Sequence, residues 1–167
     1  MREFDRDGLD VASFQGQLFE ESLDYCETSS PIFLRRFFRS RYAEMVDNTP
    51  VAIQPLFVPD AFEEIEKQYG KSSYGKIRYN RNAMYWLGYI TRYICYTRQV
   101  SSRLFYHLFD VKKIYSLYEA YHTQSEEWCV ARILELFGYD EKTLDMHERL
   151  KSILRKRYHE LSTQVSE

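Results

Sequence analysis

The sequence predicts an all-α fold: a single compact helical domain of about six to seven helices built around an aromatic-rich central helix. Three observations carry this. The 167 residues suit one domain with one core, and 44% hydrophobic with 29% charged residues is the composition of an ordinary globular chain. Apolar residues recur at helical spacing along most of the chain, with strand-like alternation suggested only at AIQPLFV. Finally, the stretch NAMYWLGYITRYICYTR, residues 82–98, sets four tyrosines and a tryptophan among aliphatic residues. On a helical wheel its aromatics line one face and its aliphatics the next, the pattern of a helix surrounded by other elements.

Taken in order, residues 1–29 carry eight carboxylates against two arginines, and Phe14, Leu18 and Leu23 mark a weakly amphipathic helix there. In SSPIFLRRFFRSRYAEMVD, Ser30 is the expected N-cap and Pro31 the first helical residue. Phe33, Leu34, Phe37, Phe38, Tyr42 and Met45 share one arc of this helix, and Arg35, Arg36 and Arg39 form a basic stripe on the other. Three prolines in NTPVAIQPLFVP predict an extended connection. Asp60 is the expected cap of AFEEIEKQY, Gly70 its end, and GKSSYGKIRYN an exposed loop.

The central helix is expected over 81–98, with Trp86 at its middle; if that ring is buried, truncation to alanine should cost about 3 to 5 kcal/mol. Ser101 or Ser102 should cap a short helix carrying Leu104, Phe105, Leu108 and Phe109. A helix with Ile114, Leu117, Tyr118 and Tyr121 on one side follows, then one that starts at Thr123 or Ser125 and stops at Gly138, with Val130, Ile133, Leu134 and Phe137 as its stripe. Residues 140–163 read as a charged helix with Leu150, Leu154, Tyr158 and Leu161 in line. The expected organisation is an acidic helical segment over 1–29, a helical core over 30–138 and a charged helix over 139–167.

Net charge is −2, which supplies no global field for nucleic acid or anionic lipid. The charged N-terminus, the lack of a long apolar run, and Arg92 and Arg98 within 81–98 argue against a leader or a membrane span, so cytoplasmic residence is expected. Cys26, Cys95 and Cys129 lack ligand or disulfide spacing, and His107, His122, His147 and His159 stand in no metal-binding or catalytic pattern. No cofactor and no enzymatic role are expected. His122, beside Thr123 and Ser125 at a helix junction, is the one enzymatic alternative, and a cap-and-turn role is the plainer reading.

Met84 to Leu136 contains YWLGYITRY, then SS, then LYEAYHT. This resembles a family of small bacterial and mobile-element helical proteins sharing YWxGYxxRY, SS and LYxxYHT, often encoded beside a gene read as a toxin and regarded as antitoxin-like. FLRRFFRSRYAEMVD is similar to their first half, so the resemblance covers about residues 30–137. It implies a partner that neutralises a co-encoded toxin, with an ADP-ribosyltransferase-like enzyme as one candidate. The residues expected to meet that partner are Arg35, Arg36 and Arg39 with the rims of Tyr85, Tyr89 and Tyr93, then Tyr118, Tyr121 and His122, because tyrosine and arginine dominate interface energetics. The alternative is a nucleic-acid-binding operon autorepressor that places the arginine helix on operator DNA; a homodimer is a further expected arrangement. The tight helix junction in SSRLFYHLFDVKKIYSLY superficially suits a helix-turn-helix, although the second helix offers mainly Lys112 and Lys113 to DNA.

Overall fold

The computed structural model describes residues 1–50 and 56–140, and these form one all-α domain. Its helices are α1 (Arg6–Tyr25), α2 (Ser30–Phe38), α3 (Arg41–Asn48), α4 (Val58–Tyr69), α5 (Arg81–Arg98), α6 (Ser102–Leu108), α7 (Val111–Tyr115), α8 (Tyr118–Tyr121) and α9 (Glu126–Leu136). The described residues thus hold nine helices where six to seven were expected, because two predicted helices are each cut in two. The first cut is at Ser40. Its hydroxyl donates to Phe37 O at 2.7 Å and accepts from Ala43 N at 3.0 Å, closing α2 and capping α3 with one side chain. The second lies at Ser116 and Leu117, where Ser116 Oγ donates to Lys113 O and Leu117 N bonds Ile114 O in the tighter i to i−3 pattern.

The long helices α1 and α5 form the most extensive pairing and run antiparallel: Asp5 before α1 meets Tyr96, while Asp24 near its end meets Arg81. Two glycines permit the approach. A Cβ on Gly88 would lie 2.4 Å from Gln15 O and 2.9 Å from the Gly16 Cα, so only hydrogen fits there. The contact is also polar. Gln15 Nε2 donates to Gly88 O and Thr91 Oγ1, both at 3.0 Å, and its Oε1 accepts from Arg92 Nε at 2.8 Å.

Arg92, 3% exposed, extends this network to α3 and α6. Its Nη1 donates to Asp47 Oδ1 and its Nη2 to Ser102 Oγ, each at 2.7 Å; Asp47 in turn accepts from the Ser102 backbone N–H and hydroxyl. Every nitrogen of the guanidinium has a partner, which is what a buried charge requires. Around it Phe19 meets Phe33, Phe37 and Phe38 edge-on, and Phe38 stacks on Phe105.

The loop between α4 and α5 is exposed as expected, yet it anchors α2. Tyr74 O and Ile77 O accept the Ser29 and Ser30 backbone N–H groups at the start of α2, and Tyr79 stacks on Tyr115 at 3.7 Å. Ser30 is therefore not the N-cap: Ser29 takes that position without a side-chain cap bond, and Ser30 Oγ accepts from Tyr79 N. Asp60 is not a cap either. Pro59 lets α4 begin at Val58, which leaves Asp60 in its first turn. Gly70 ends α4 as predicted, at φ 75°. Ser101 and Ser125 cap α6 and α9. The charged helix expected over 140–163, with His147 and His159, and most of the short strand expected at AIQPLFV lie outside the described residues; Val58, at that strand's end, belongs to α4. Among the described residues no helix is long and apolar enough to cross a membrane.

Candidate interaction site

The spacing of α5 decides which of its aromatics reach the surface. Leu87, Ile90 and Ile94 are buried, as the aliphatic face predicts, while Tyr85 stays 37% exposed and Trp86, Tyr89 and Tyr96 are half-buried. Beside them α1 contributes Leu9 and Glu20, and the α8–α9 junction contributes Tyr118, His122, Gln124 and Glu126. With Tyr85, Trp86 and Tyr89 of α5 they line an open cleft of about 580 Å³, which Tyr96 does not reach. Two tyrosine sets separated in sequence, Tyr85 with Tyr89 and Tyr118 with His122, therefore share one surface.

The cleft wall is held by ring contacts. Tyr118 meets Trp86 edge-on at 5.9 Å, and His122 stacks on Tyr118 at 4.6 Å with its Nδ1 2.9 Å from Tyr118 O. That geometry suits an Nδ1–H donor closing the turn. Tyr85 and Tyr89 stack at 6.4 Å. Burial, with Glu126 nearby, pushes the Tyr89 hydroxyl up to about 12. Cys129 at the base is no activated nucleophile: burial raises its pKa, and its thiol donates to Tyr121 O at 3.2 Å. Cleft and rim thus present aromatic faces with carboxylates Glu20 and Glu126 beside them. Among the described residues no three His, Cys, Asp or Glu side chains are grouped to hold a metal ion.

Two predicted contacts sit differently. Tyr93 is 6% exposed, covered by Phe4 stacked on its ring at 4.0 Å, and its hydroxyl turns toward Glu127 at 3.4 Å. Residues 1–5 do this: Arg2 N bonds Thr97 O, Arg2 lies over Tyr96, and Asp5 accepts from the Tyr96 hydroxyl. Tyr121 is half-buried, edge-on to Trp128 at 5.0 Å.

The arginines of α2 do not join the cleft. Arg36 donates to Gly70 O at 2.9 Å and lies over Tyr69. Arg39 lies over Tyr106 and, with Arg103 and His107, lines a separate shallow pocket. Nor, among the described residues, does the stripe form an ion pair with the acidic start of the chain, whose Glu20 and Asp24 bind Arg81 instead.

Sequence reasoning missed several cleft residues, among them Trp86, Glu126, Glu20, Leu9 and Gln124. Trp86 falls at the middle of the central helix with its burial left open, Glu126 reads as a dipole partner of α9, Glu20 counts only in the acidic balance of residues 1–29, and Leu9 and Gln124 give no signal. The one available hint was the position of Trp86 at the edge of the aromatic arc. Compared with family models, with curated proteins and with solved structures, the chain finds no match.

Proposed function

We propose that this protein is an antitoxin-type binding protein that neutralises a co-encoded toxin, and that the aromatic cleft between α1, α5 and the α8–α9 junction is the surface it uses. The observation that carries the reading is the convergence of Tyr85, Tyr89, Tyr118 and His122, singled out on separate stretches of sequence, on one open cleft with Trp86. Tyrosine and tryptophan bury large area at low entropic cost and carry most of the energy at protein interfaces. The carboxylate of Glu126 makes the cleft complementary to a basic element of the toxin. A toxin whose active site is lined by cations for an anionic substrate would present such an element.

The test is co-expression with the product of the adjacent gene, followed by size-exclusion chromatography and mass determination. A stoichiometric complex that inhibits the toxin is expected, and Tyr85→Ser with Tyr118→Ser should lose it while staying folded. A toxin that remains fully active in molar excess of the protein refutes the reading. Loss of turnover by an otherwise stable His122→Gln variant, in any reaction the protein proves to catalyse, would replace it with an enzymatic one.

A further inference from the structure

A second surface, away from the aromatic cleft, carries cations that form no ion pair among the described residues. Arg39 at the end of α2 and Arg103 and His107 of α6 line one shallow pocket with Leu104 and Tyr106. Among the described residues neither Arg39 nor Arg103 forms an ion pair, whereas Arg81, Arg92 and Arg132 each hold a carboxylate. Arg35, exposed one turn before Arg39, is also without an ion pair among those residues and extends the same face.

Two features separate this cluster from an ordinary solvated face. Arg39 is held in place: its guanidinium lies 5.4 Å over the Tyr106 ring, Tyr106 stacks on Phe38 at 5.4 Å, and Phe38 is a core residue stacked on Phe105. A cation fixed through two rings to the core has already lost much of its side-chain freedom, which reduces the cost of binding. Arg103, by contrast, sits in the first turn of α6, where the helix dipole disfavours a positive charge. Arg35 and Arg36 occupy the last turn of α2, where the dipole favours them, so their presence has a folding rationale that Arg103 lacks.

From this we infer that the α2–α6 pocket is a phosphate-binding site that takes the sugar–phosphate backbone of a nucleic acid. Guanidinium forks match phosphate oxygens; Arg39 and Arg103 offer two in one pocket, and Arg35, one helical turn before Arg39, adds a third that a repeating polyanion can reach. Recognition is of backbone rather than base, because Tyr106 already has Phe38 stacked on it and Arg39 over it, leaving little ring face for a base. Arg36 takes no part, being committed to Gly70 O and Tyr69.

The experiment is fluorescence anisotropy of a labelled duplex and its single strand, titrated with the full-length protein over about 50 to 200 mM salt. Salt-dependent binding is expected. Arg39→Gln with Arg103→Gln should weaken it at least about tenfold and flatten the slope of log K against log salt by about 2, while Arg36→Gln leaves it nearly unchanged. The Lys substitutions at both positions keep the charge and should restore most of the slope, which excludes a folding defect. Unchanged binding in the double Gln variant, or no binding at the lowest salt, overturns the site. Displacement of the oligonucleotide by inorganic phosphate at matched ionic strength overturns the nucleic-acid assignment. Tyr85→Ser with Tyr118→Ser should leave this binding intact, so its outcome is independent of the toxin experiment.

Discussion

Gly88→Ala tests the α1–α5 crossing on which the rest of the domain is hung. The added Cβ would stand 2.4 Å from Gln15 O, where ordinary contact begins near 3.4 Å. Because that atom and the next two neighbours are backbone, no rotamer change relieves the clash, and α1 must shift by about 1 Å. Overpacking of this kind costs about 1 to 3 kcal/mol. The same shift pulls Gln15 away from Arg92, a charge-assisted bond at 2.8 Å whose loss costs about 1.5 to 3 kcal/mol. Against this, alanine in a helix interior gains about 1 kcal/mol over glycine. The net expectation is a destabilisation of about 1.5 to 5 kcal/mol. Urea unfolding followed by circular dichroism should show it as a lower midpoint at similar slope. Gly16→Ala is the internal comparison: its Cβ would meet the Tyr85 ring at 3.0 Å and Tyr85 O at 3.1 Å, a milder conflict that should cost less. A Gly88→Ala variant as stable as the parent, or more so, would refute the close crossing itself.

The buried ion pair gives a second expectation: Asp47→Ala leaves Arg92 charged and under-partnered in the core and should cost about 3 to 5 kcal/mol, read by the same unfolding assay. Trp86→Ala should fall below the full core value, at about 1 to 3 kcal/mol, because the ring is half-buried against Tyr118; a loss above about 4 kcal/mol would place it fully inside. Alkali should act through tyrosine. Burial raises Tyr89, Tyr93 and Tyr96 from 10.0 to about 12, so the folded state holds these protons more tightly than the unfolded one. Their contribution is fully present below pH 10 and is lost as pH rises from about 10 to about 12, so the tyrosinate absorbance of these three rings should appear late and together with unfolding. A simple titration complete near pH 10 in a still-folded protein would contradict their burial.

The local grammar of this chain was largely legible. The bounds of α5 follow from its wheel, α9 from Ser125 and its acidic first turn, and the end of α4 from Gly70, each a signal spanning a few residues. What was not legible depends on distant partners. Ser40 reads as one more residue in a helical arc until its hydroxyl is seen to serve both α2 and α3. Arg92 finds Asp47 across 45 residues and Gln15 across 77, and no periodicity announces either. The start of α2 depends on carbonyls from a loop more than 40 residues downstream. For the site, periodicity placed Tyr85, Tyr89 and Tyr93 together on one aromatic face but could not know that Phe4 would cover Tyr93. It also could not separate Arg36, tied to the end of α4, from Arg39, because both fall on the same stripe.

The stretch that holds YWLGYITRY, SS and LYEAYHT divides along the same physical line. Gly88 is there for the helix crossing, Arg92 and Ser102 for the buried network, and Ser101 for the cap of α6. These positions specify architecture, and any chain with this crossing would need similar residues at them. Tyr85, Trp86, Tyr89, Tyr118 and His122 are different, because they leave aromatic surface in an open cleft that the fold does not require. With Leu9 47% exposed at its margin, that surface is costly to hydrate and is offset only when something covers it. The two halves of the pattern are therefore separable by experiment: changes in the first should lower stability most, whereas changes in the second should cost less stability and strike the proposed binding. A pattern whose outward tyrosines proved as destabilising to replace as Gly88 would be wholly architectural, and the cleft would lose its claim as a site.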